Sequence, residues 1–280
     1  MPTFNQANFI GNSISSVLCQ TEKDFELIII NNYSSDNTSE VVKSFSDKRI
    51  RFFNFKNNGI IAAARNFGIK KSRGKFIAFL DSDDIWYPKK LEVCNKYIKK
   101  GYNFISHNVC FKEKFKKDSK IRYKNEFNLN TLLFKGNFIA TSSVIIKKTL
   151  LNSVNCFSTK KEIINSEDFD LWLRILSYEG GFMVPQVLGE NTMHEFNASK
   201  DIDKSFNSAK NVLNIFFEND LIKWRKSLSF LYYSFAMLYF KTKKDRMAIL
   251  YFKNSLKYNQ YFIRCYLLIL LTVIRNFLKV

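Results

Sequence analysis

Histidine occurs only twice in this 280-residue chain and proline three times, and none of the five cysteines sits in a C-x-x-C pair. That scarcity argues against a zinc site, whose usual ligands are closely spaced histidine and thiolate. Cys19, Cys94, Cys110, Cys156 and Cys265 lie scattered, as in a chain working in a reducing cytoplasm. No apolar run approaches the ~20 residues that a membrane-spanning helix needs. The opening residues lack the basic region, apolar stretch and small-residue cleavage site of a signal peptide. With no helix-turn-helix spacing, zinc finger or RNP-type aromatic motif, nucleic acid is not the expected partner.

Acids are outnumbered as well: 44 Lys and Arg against 25 Asp and Glu leave a net charge of +19. Two origins fit. One is the residue bias of an AT-rich genome, visible in abundant Lys, Asn, Ile and Phe; the other is attraction to an anionic membrane surface. A hydrophobic content of 46% excludes a disordered chain, and 280 residues can bury one large α/β core with a smaller appendage.

What is present is a regular alternation. After an opening Pro2-Thr3-Phe4-Asn5 turn, Phe9, Ile10, Ile14, Val17 and Leu18 recur at helical spacing over residues 8–20. Phe25–Ile30 is a short apolar run of the kind buried in a parallel sheet. Turn formers from Asn31 to Thr38 lead into a helix through Val42 and Phe45, and Arg49–Phe55 predicts a strand. Gly59–Lys70 predicts a helix of small residues and Phe76–Leu80 another strand. The alternation predicts an α/β fold with right-handed crossovers and a mostly parallel sheet flanked by helices. His107, after Phe104-Ile105-Ser106, is expected to end a later strand and carries no assigned chemistry.

The apolar Phe79-Leu80 gives way abruptly to Asp81-Ser82-Asp83-Asp84. A parallel strand would deliver these acids to the C-terminal edge of the sheet, where open α/β folds bind ligands. Crowded like charges need a cation or a network of donors. A hard divalent ion with oxygen ligands, Mg2+ or Mn2+ holding a diphosphate, is the chemical match. Taken alone, a D-x-D triplet is equally a turn or a helix cap.

The ordered succession of Pro2-Thr3-Phe4-Asn5, Ser16 to Thr21, Asp24 to Ile29, Ser34-Ser35-Asp36-Asn37-Thr38, Gly59 with Ala64-Arg65-Asn66-Phe67-Gly68-Ile69, and the Asp81 cluster resembles the family 2 glycosyltransferases of GT-A (Rossmann-like) fold. Ser166-Glu167-Asp168-Phe169-Asp170 is similar to their acceptor-side E-D motif, so the likeness covers roughly the first two hundred residues. It implies transfer of a sugar, with inversion, from a nucleotide diphosphate donor, UDP-sugar first, to a hydroxyl acceptor. By that resemblance Asp83 binds Mn2+ or Mg2+, Asp81 lies by the donor ribose and the metal, and Pro2, Thr3 and Asn32 belong to the nucleotide pocket. Arg65 contacts the phosphates, positions the Asp81 loop, or forms a structural ion pair. Asp168 is the implied general base; Glu167 orients the acceptor, opens the following helix, or does both. His194 matches a family histidine that reaches metal or diphosphate, against the plainer reading of a structural histidine.

Two departures stand out. Relatives carry an apolar strand just before the P-T-F-N turn, which places the expected start upstream of Met1; the other reading is a crippled domain. Asn31-Asn32 replaces a pair in which relatives most often hold an aspartate for the donor base, although an asparagine oxygen still accepts a uracil N–H.

Lys112, Lys114, Lys116, Lys117, Lys120, Arg122 and Lys124 form a basic run, read either as a solvated loop or as a contact for a phosphate-bearing lipid carrier or anionic headgroups. From about Asp201 the pattern turns helical, dividing a GT-A domain at 1–200 from an α-helical tail at 201–280. Residues 233–258 resemble a degenerate tetratricopeptide helical pair. The apolar Tyr266–Ile274, bracketed by Arg264, Arg275 and Lys279, reads as a helix in a membrane interface or as the last packed helix. The expected role is thus an enzyme of surface polysaccharide or lipo-oligosaccharide synthesis, with a lipid-linked or glycan acceptor, peripheral at the inner face of a bacterial cell membrane. A degraded, non-catalytic sugar-nucleotide-binding or membrane scaffold protein is the alternative, and a nucleotidyltransferase a distant third.

Overall fold

The computed structural model of the chain describes residues 1–112, 125–193 and 201–277. In chain order its first elements are β1 (Pro2–Thr3), α1 (Ala7–Leu18), β2 (Leu27–Asn31), α2 (Thr38–Lys43), β3 (Ile50–Asn54), α3 (Ile61–Lys71) and β4 (Phe76–Ala78). β5 (Ile85–Trp86), α4 (Lys90–Ile98), β6 (Phe104–Lys112), β7 (Glu126–Phe127), α5 (Leu129–Lys135), β8 (Ile145–Lys147), α6 (Lys148–Ser153), α7 (Glu167–Leu176) and β9 (Gly181–Thr192) follow. Four helices close the chain: α8 (Ile202–Phe216), α9 (Leu221–Lys241), α10 (Asp245–Tyr258) and α11 (Ile263–Phe277). Residues 1–128, 139–161 and 174–197 make one compact unit; 129–138, 162–173 and 198–280 make the other.

In the first unit, β1, β2 and β3 form a parallel sheet in that order. Pro2 and Thr3, expected in a turn, pair with Ile30 and Asn31 as the short strand β1. β2 is buried along its whole length because successive side chains leave on opposite faces. Leu27 and Ile29 pack with Ile10, Ile14 and Val17 of α1 and with Val42 of α2. Ile28 and Ile30 meet Ala64 of α3, beside Phe53 and Phe67. A helix covers each face, which is why the run lacks polar alternation.

A second sheet has the order β4-β8-β6-β9-β5, with β7 joined to β9. Only β6 and β9 run parallel; the other pairs are antiparallel. Its core gathers Cys94, Ile105, Ile145, Phe182, Val184 and Leu188. His107 does not end a strand. It lies inside β6, paired with Val184, and the strand runs on to Lys112 through two register shifts beside Asn108. A buried imidazole survives there because Nδ1 donates to the Asn108 carbonyl at 2.9 Å.

Helices α8–α11 dominate the second unit. Phe206 of α8 packs against Tyr232 and Phe235 of α9 and Tyr251 of α10. Tyr239 and Tyr251 both donate to Asp203 Oδ1, at 2.8 and 3.3 Å. Ser229 and Ser255 bond across the buried α9–α10 contact.

Candidate active site

The Pro2–Asn5 segment with the start of α1 and the Ser34–Thr38 turn bind each other. The backbone N–H groups of Asn5, Gln6 and Ala7 donate to Ser34 Oγ, Thr38 Oγ1 and Asp36 Oδ2 at 2.9, 2.9 and 3.0 Å. In return Asn5 Oδ1 accepts the Ser35 N–H at 2.8 Å. Asn5 and Tyr33 take left-handed φ of 52° and 54°, which reverses the chain sharply after β1 and β2. Asp36 thereby meets donors at the start of α1, where a carboxylate is favoured.

Beside this lock lies an open cleft of about 440 Å³ lined by Asn32, Tyr33, Lys56 and Asn58. Asn32 Oδ1 already accepts the Asn57 N–H at 2.9 Å. A second lone pair on that oxygen and the Nδ2 donors are the polar groups that Asn32 can offer to the cleft. Asn31 is different: buried, it bonds Asn54 Oδ1 at 2.9 Å and takes the Ser34 O–H at 2.6 Å, so it knits β2 to β3 and the turn. Thr3 Oγ1 is buried without a hydrogen-bond partner, an opening for a polar ligand group; Pro2 is held in β1.

The acids after β4 divide into two kinds. Asp84 is buried and structural: Oδ2 accepts the Ser142 O–H at 2.5 Å and Oδ1 the Thr192 N–H at 3.0 Å. Burial, with the charges of Asp81 and Asp83 adding to it, raises its pKa well above the carboxylate range. Asp81 and Asp83 stay half-buried. Arg65 of α3 is 7% exposed and places Nη2 2.9 Å from Asp81 Oδ1, so the charge on Asp81 is partly balanced from behind. Next to it, Asn66 clamps Phe157 at two points, donating to its carbonyl at 2.8 Å and accepting its N–H at 3.0 Å. The Phe157 ring then lies beneath the Arg65 guanidinium, 5.4 Å away. The Arg65–Asp81 ion pair is common to two of the roles open to Arg65, positioning of the Asp81 loop and a structural ion pair.

Sequence reasoning missed the groups that hold this turn. Ser142, in the single helical turn Thr141–Ser143, accepts the Asp81 N–H at 3.0 Å as well as serving Asp84. Its carbonyl receives the Trp86 indole N–H at 2.7 Å and Lys90 Nζ at 3.3 Å. Lys90 is fully buried over the Trp86 ring, and burial drives its pKa well down. Ser13 Oγ stands 2.9 Å from Ser82 O and 2.7 Å from Asp84 O. A hydroxyl on the buried Ile10-Ile14-Val17 face of α1 was a legible signal for Ser13. Nothing in spacing marks Ser142.

In the second unit Glu167 is buried at the start of α7 and accepts the Asn165 N–H at 2.9 Å, so it opens the helix as one of its expected roles. Asp168 is half-buried, with Oδ1 on the Phe169 N–H at 2.6 Å and Oδ2 receiving Asn137 Nδ2 at 3.3 Å. His194 and residues 114–124 of the basic run lie outside the described residues.

Among the described residues no set of three His, Cys, Asp or Glu side chains forms a metal cage. A diphosphate-bound Mg2+ or Mn2+ does not need one, since one or two carboxylates with substrate oxygens complete its shell. Asp81 and Asp83 fit that donor set; Asp84, with both oxygens engaged, does not.

Comparison with known proteins identifies the family and the fold. The profile "Glycosyl transferase family 2" matches residues 1–164. An uncharacterized glycosyltransferase of Rickettsia bellii (strain RML369-C) is 36% identical over 76% of this chain and 32% of its own, and the chain spans about a third of the length of the first curated relatives it matches. The Escherichia coli protein named UDP-Glc:alpha-D-GlcNAc-diphosphoundecaprenol beta-1,3-glucosyltransferase WfgD is 34% identical over 80% of this chain and 87% of its own. In fold, S. aureus TarS 1–349 in complex with UDP-GlcNAc superposes with a TM-score of 0.67 at 15% identity, covering 92% of this chain and 79% of that one. A GT-A fold, a profile match over more than half the chain and a relative matched along most of its length lead to one conclusion: this chain belongs to glycosyltransferase family 2.

Proposed function

We propose that this chain is an inverting, metal-dependent transferase that moves a sugar from a nucleotide diphosphate donor, a UDP-sugar first, to a hydroxyl of a lipid-linked or glycan acceptor. The observation that carries the reading is the acid turn after β4, with Asp81 held by Arg65 while Asp84 is engaged internally, in a chain of this family. A dication bound by Asp83 and Asp81 would neutralise the charge that the leaving diphosphate gains. Thr3, Pro2 and Asn32 hold the nucleoside, and Arg65 keeps Asp81 in place. Asp168 takes the acceptor proton as the hydroxyl oxygen attacks the anomeric carbon opposite the diphosphate, so one displacement inverts the centre. Glu167 orients the acceptor from the same helical start. His194 is proposed as a further ligand of the metal or diphosphate.

The named activity of the Escherichia coli relative supports a lipid diphosphate acceptor, hence synthesis of surface polysaccharide or lipo-oligosaccharide at the cytoplasmic face of a cell membrane. In this reading the catalytic portion is residues 1–200 and the helical tail 201–280, with 233–258 as a tetratricopeptide-like pair.

Release of nucleotide diphosphate from a panel of UDP- and GDP-sugars, with Mn2+ or Mg2+ and an acceptor-rich membrane extract, tests the reading. Turnover should vanish on chelation, return with metal, and fall by roughly 10²–10³ in Asp83→Ala. Silence of the folded protein across the panel would shift the assignment to a non-catalytic sugar-nucleotide-binding protein, a reading that Asn31-Asn32 favours.

A further inference from the structure

Helix α11 is apolar over most of its circumference, interrupted by Arg264, Thr272, Arg275 and Asn276, so more than one of its faces calls for cover. One face has it: Cys265 and Thr272 are buried in the helical unit. The other does not. Ile263, Tyr266, Leu267, Leu270, Leu271 and Ile274, at i, i+3, i+4, i+7, i+8 and i+11, are 43 to 70% exposed and form one continuous stripe.

Charge indicates the cover. From Leu221 to the end the sequence holds twelve basic residues and a single acid, Asp245. That acid is engaged by Arg275 of α11, whose Nη1 and Nη2 also reach the Phe240 carbonyl at 3.2 Å. These contacts bring the C-terminal end of α11 against the α9–α10 connection, which carries the exposed Lys241, Lys243, Lys244 and Arg246. The C-terminal end of the helix that bears the stripe thus lies at the connection that carries these cations. Among the described residues no helix is long and apolar enough to cross a membrane.

We infer that the exposed face of α11, with the Lys241–Arg246 turn, docks on an anionic bilayer surface, the apolar stripe entering the headgroup–acyl boundary and the cations meeting lipid phosphates. The inference rests on the lipid-linked acceptor reading for its place in the reaction. Its test does not, because lipid binding and sugar transfer are measured separately.

The experiment is flotation of the full chain with vesicles of phosphatidylcholine alone and of phosphatidylcholine with phosphatidylglycerol, at low and high salt. The expected result is binding to the anionic vesicles, at least about tenfold weaker on neutral ones and in high salt. Leu267→Glu/Leu271→Glu and Lys243→Glu/Lys244→Glu should each weaken it by about tenfold or more while circular dichroism and nucleotide diphosphate release with a water-soluble acceptor stay as in the parent. Absence of binding by the folded parent overturns the proposal, as does binding that neither variant weakens. A lipid-free dimer in sedimentation that Leu267→Glu/Leu271→Glu dissolves, without anionic-vesicle binding, assigns the stripe to a second copy instead. Loss of nucleotide diphosphate release with vesicle binding intact would count against the transferase reading alone.

Discussion

Ser142 Oγ donates a hydrogen bond to Asp84 Oδ2 at 2.5 Å and accepts one from the Asp81 N–H at 3.0 Å. One hydroxyl therefore ties both ends of the acid turn to a segment sixty residues later. The three neighbouring acids thus stand in different environments, Asp84 buried with its partners and Asp81 and Asp83 half-buried.

Ser142→Ala removes the donor from a buried carboxyl and the acceptor from the Asp81 amide. Unfolding stability should drop by about 1–3 kcal/mol, read from urea titration. Sugar transfer should fall by about tenfold or more, because the turn loses its registration. Unchanged values of both would remove Ser142 from the support of this turn.

Arg65 and Asp81 should be coupled. In a double-mutant cycle with Arg65→Met and Asp81→Asn, the interaction energy should come out at about 1–3 kcal/mol, since the guanidinium is buried and the carboxylate only partly so. Additive effects in the cycle would show that the 2.9 Å contact carries no stability.

His107 predicts an acid-side loss of stability. Burial, with the Lys90 charge adding to it, pushes its pKa down from 6.5 to about 3, so it is neutral in the fold. Its contribution is complete above the unfolded pKa of 6.5 and is lost as pH falls toward 3, because the unfolded chain binds a proton that the native one does not. Between about pH 7.5 and about pH 5 the parent should lose up to about 2 kcal/mol relative to His107→Gln. Asp84 acts with the opposite sign, its raised pKa making low pH milder, and cancels in that difference. Parallel pH profiles for the two proteins would contradict the buried neutral imidazole.

Asp168→Asn keeps the side chain's shape and one acceptor for the Phe169 N–H but abolishes basicity. The rate at saturating substrates should fall by about 10²–10⁴ while the donor KM is kept. A rise in donor KM with an unchanged maximal rate would move Asp168 out of the proton transfer.

Much of this protein was readable in advance. The continuous apolar run at β2, helical spacing on α1 and the abrupt passage from Leu80 to Asp81 are local patterns, set by side-chain geometry within a few residues. They located β2, β3, α1, α3 and the acid turn, and the order of motifs named the family. Harder to read was His107, because an apolar stretch stopping at a histidine looks like a strand end until its neighbours are known. The antiparallel partners of the second sheet were equally hidden, since pairing between β4 and β8 joins residues seventy apart with no shared local signal.

Sequence alone determined the alternating α/β architecture, the placing of carboxylates at a strand end, the excess of positive charge and the family. Tertiary structure decided which acids face outward, through hydrogen bonds from Ser142, Ser13 and Thr192 that no spacing encodes. It also decided which side of α11 is left bare. Periodicity marks a helix as apolar, but burial depends on what packs against it, and that is a property of the whole fold.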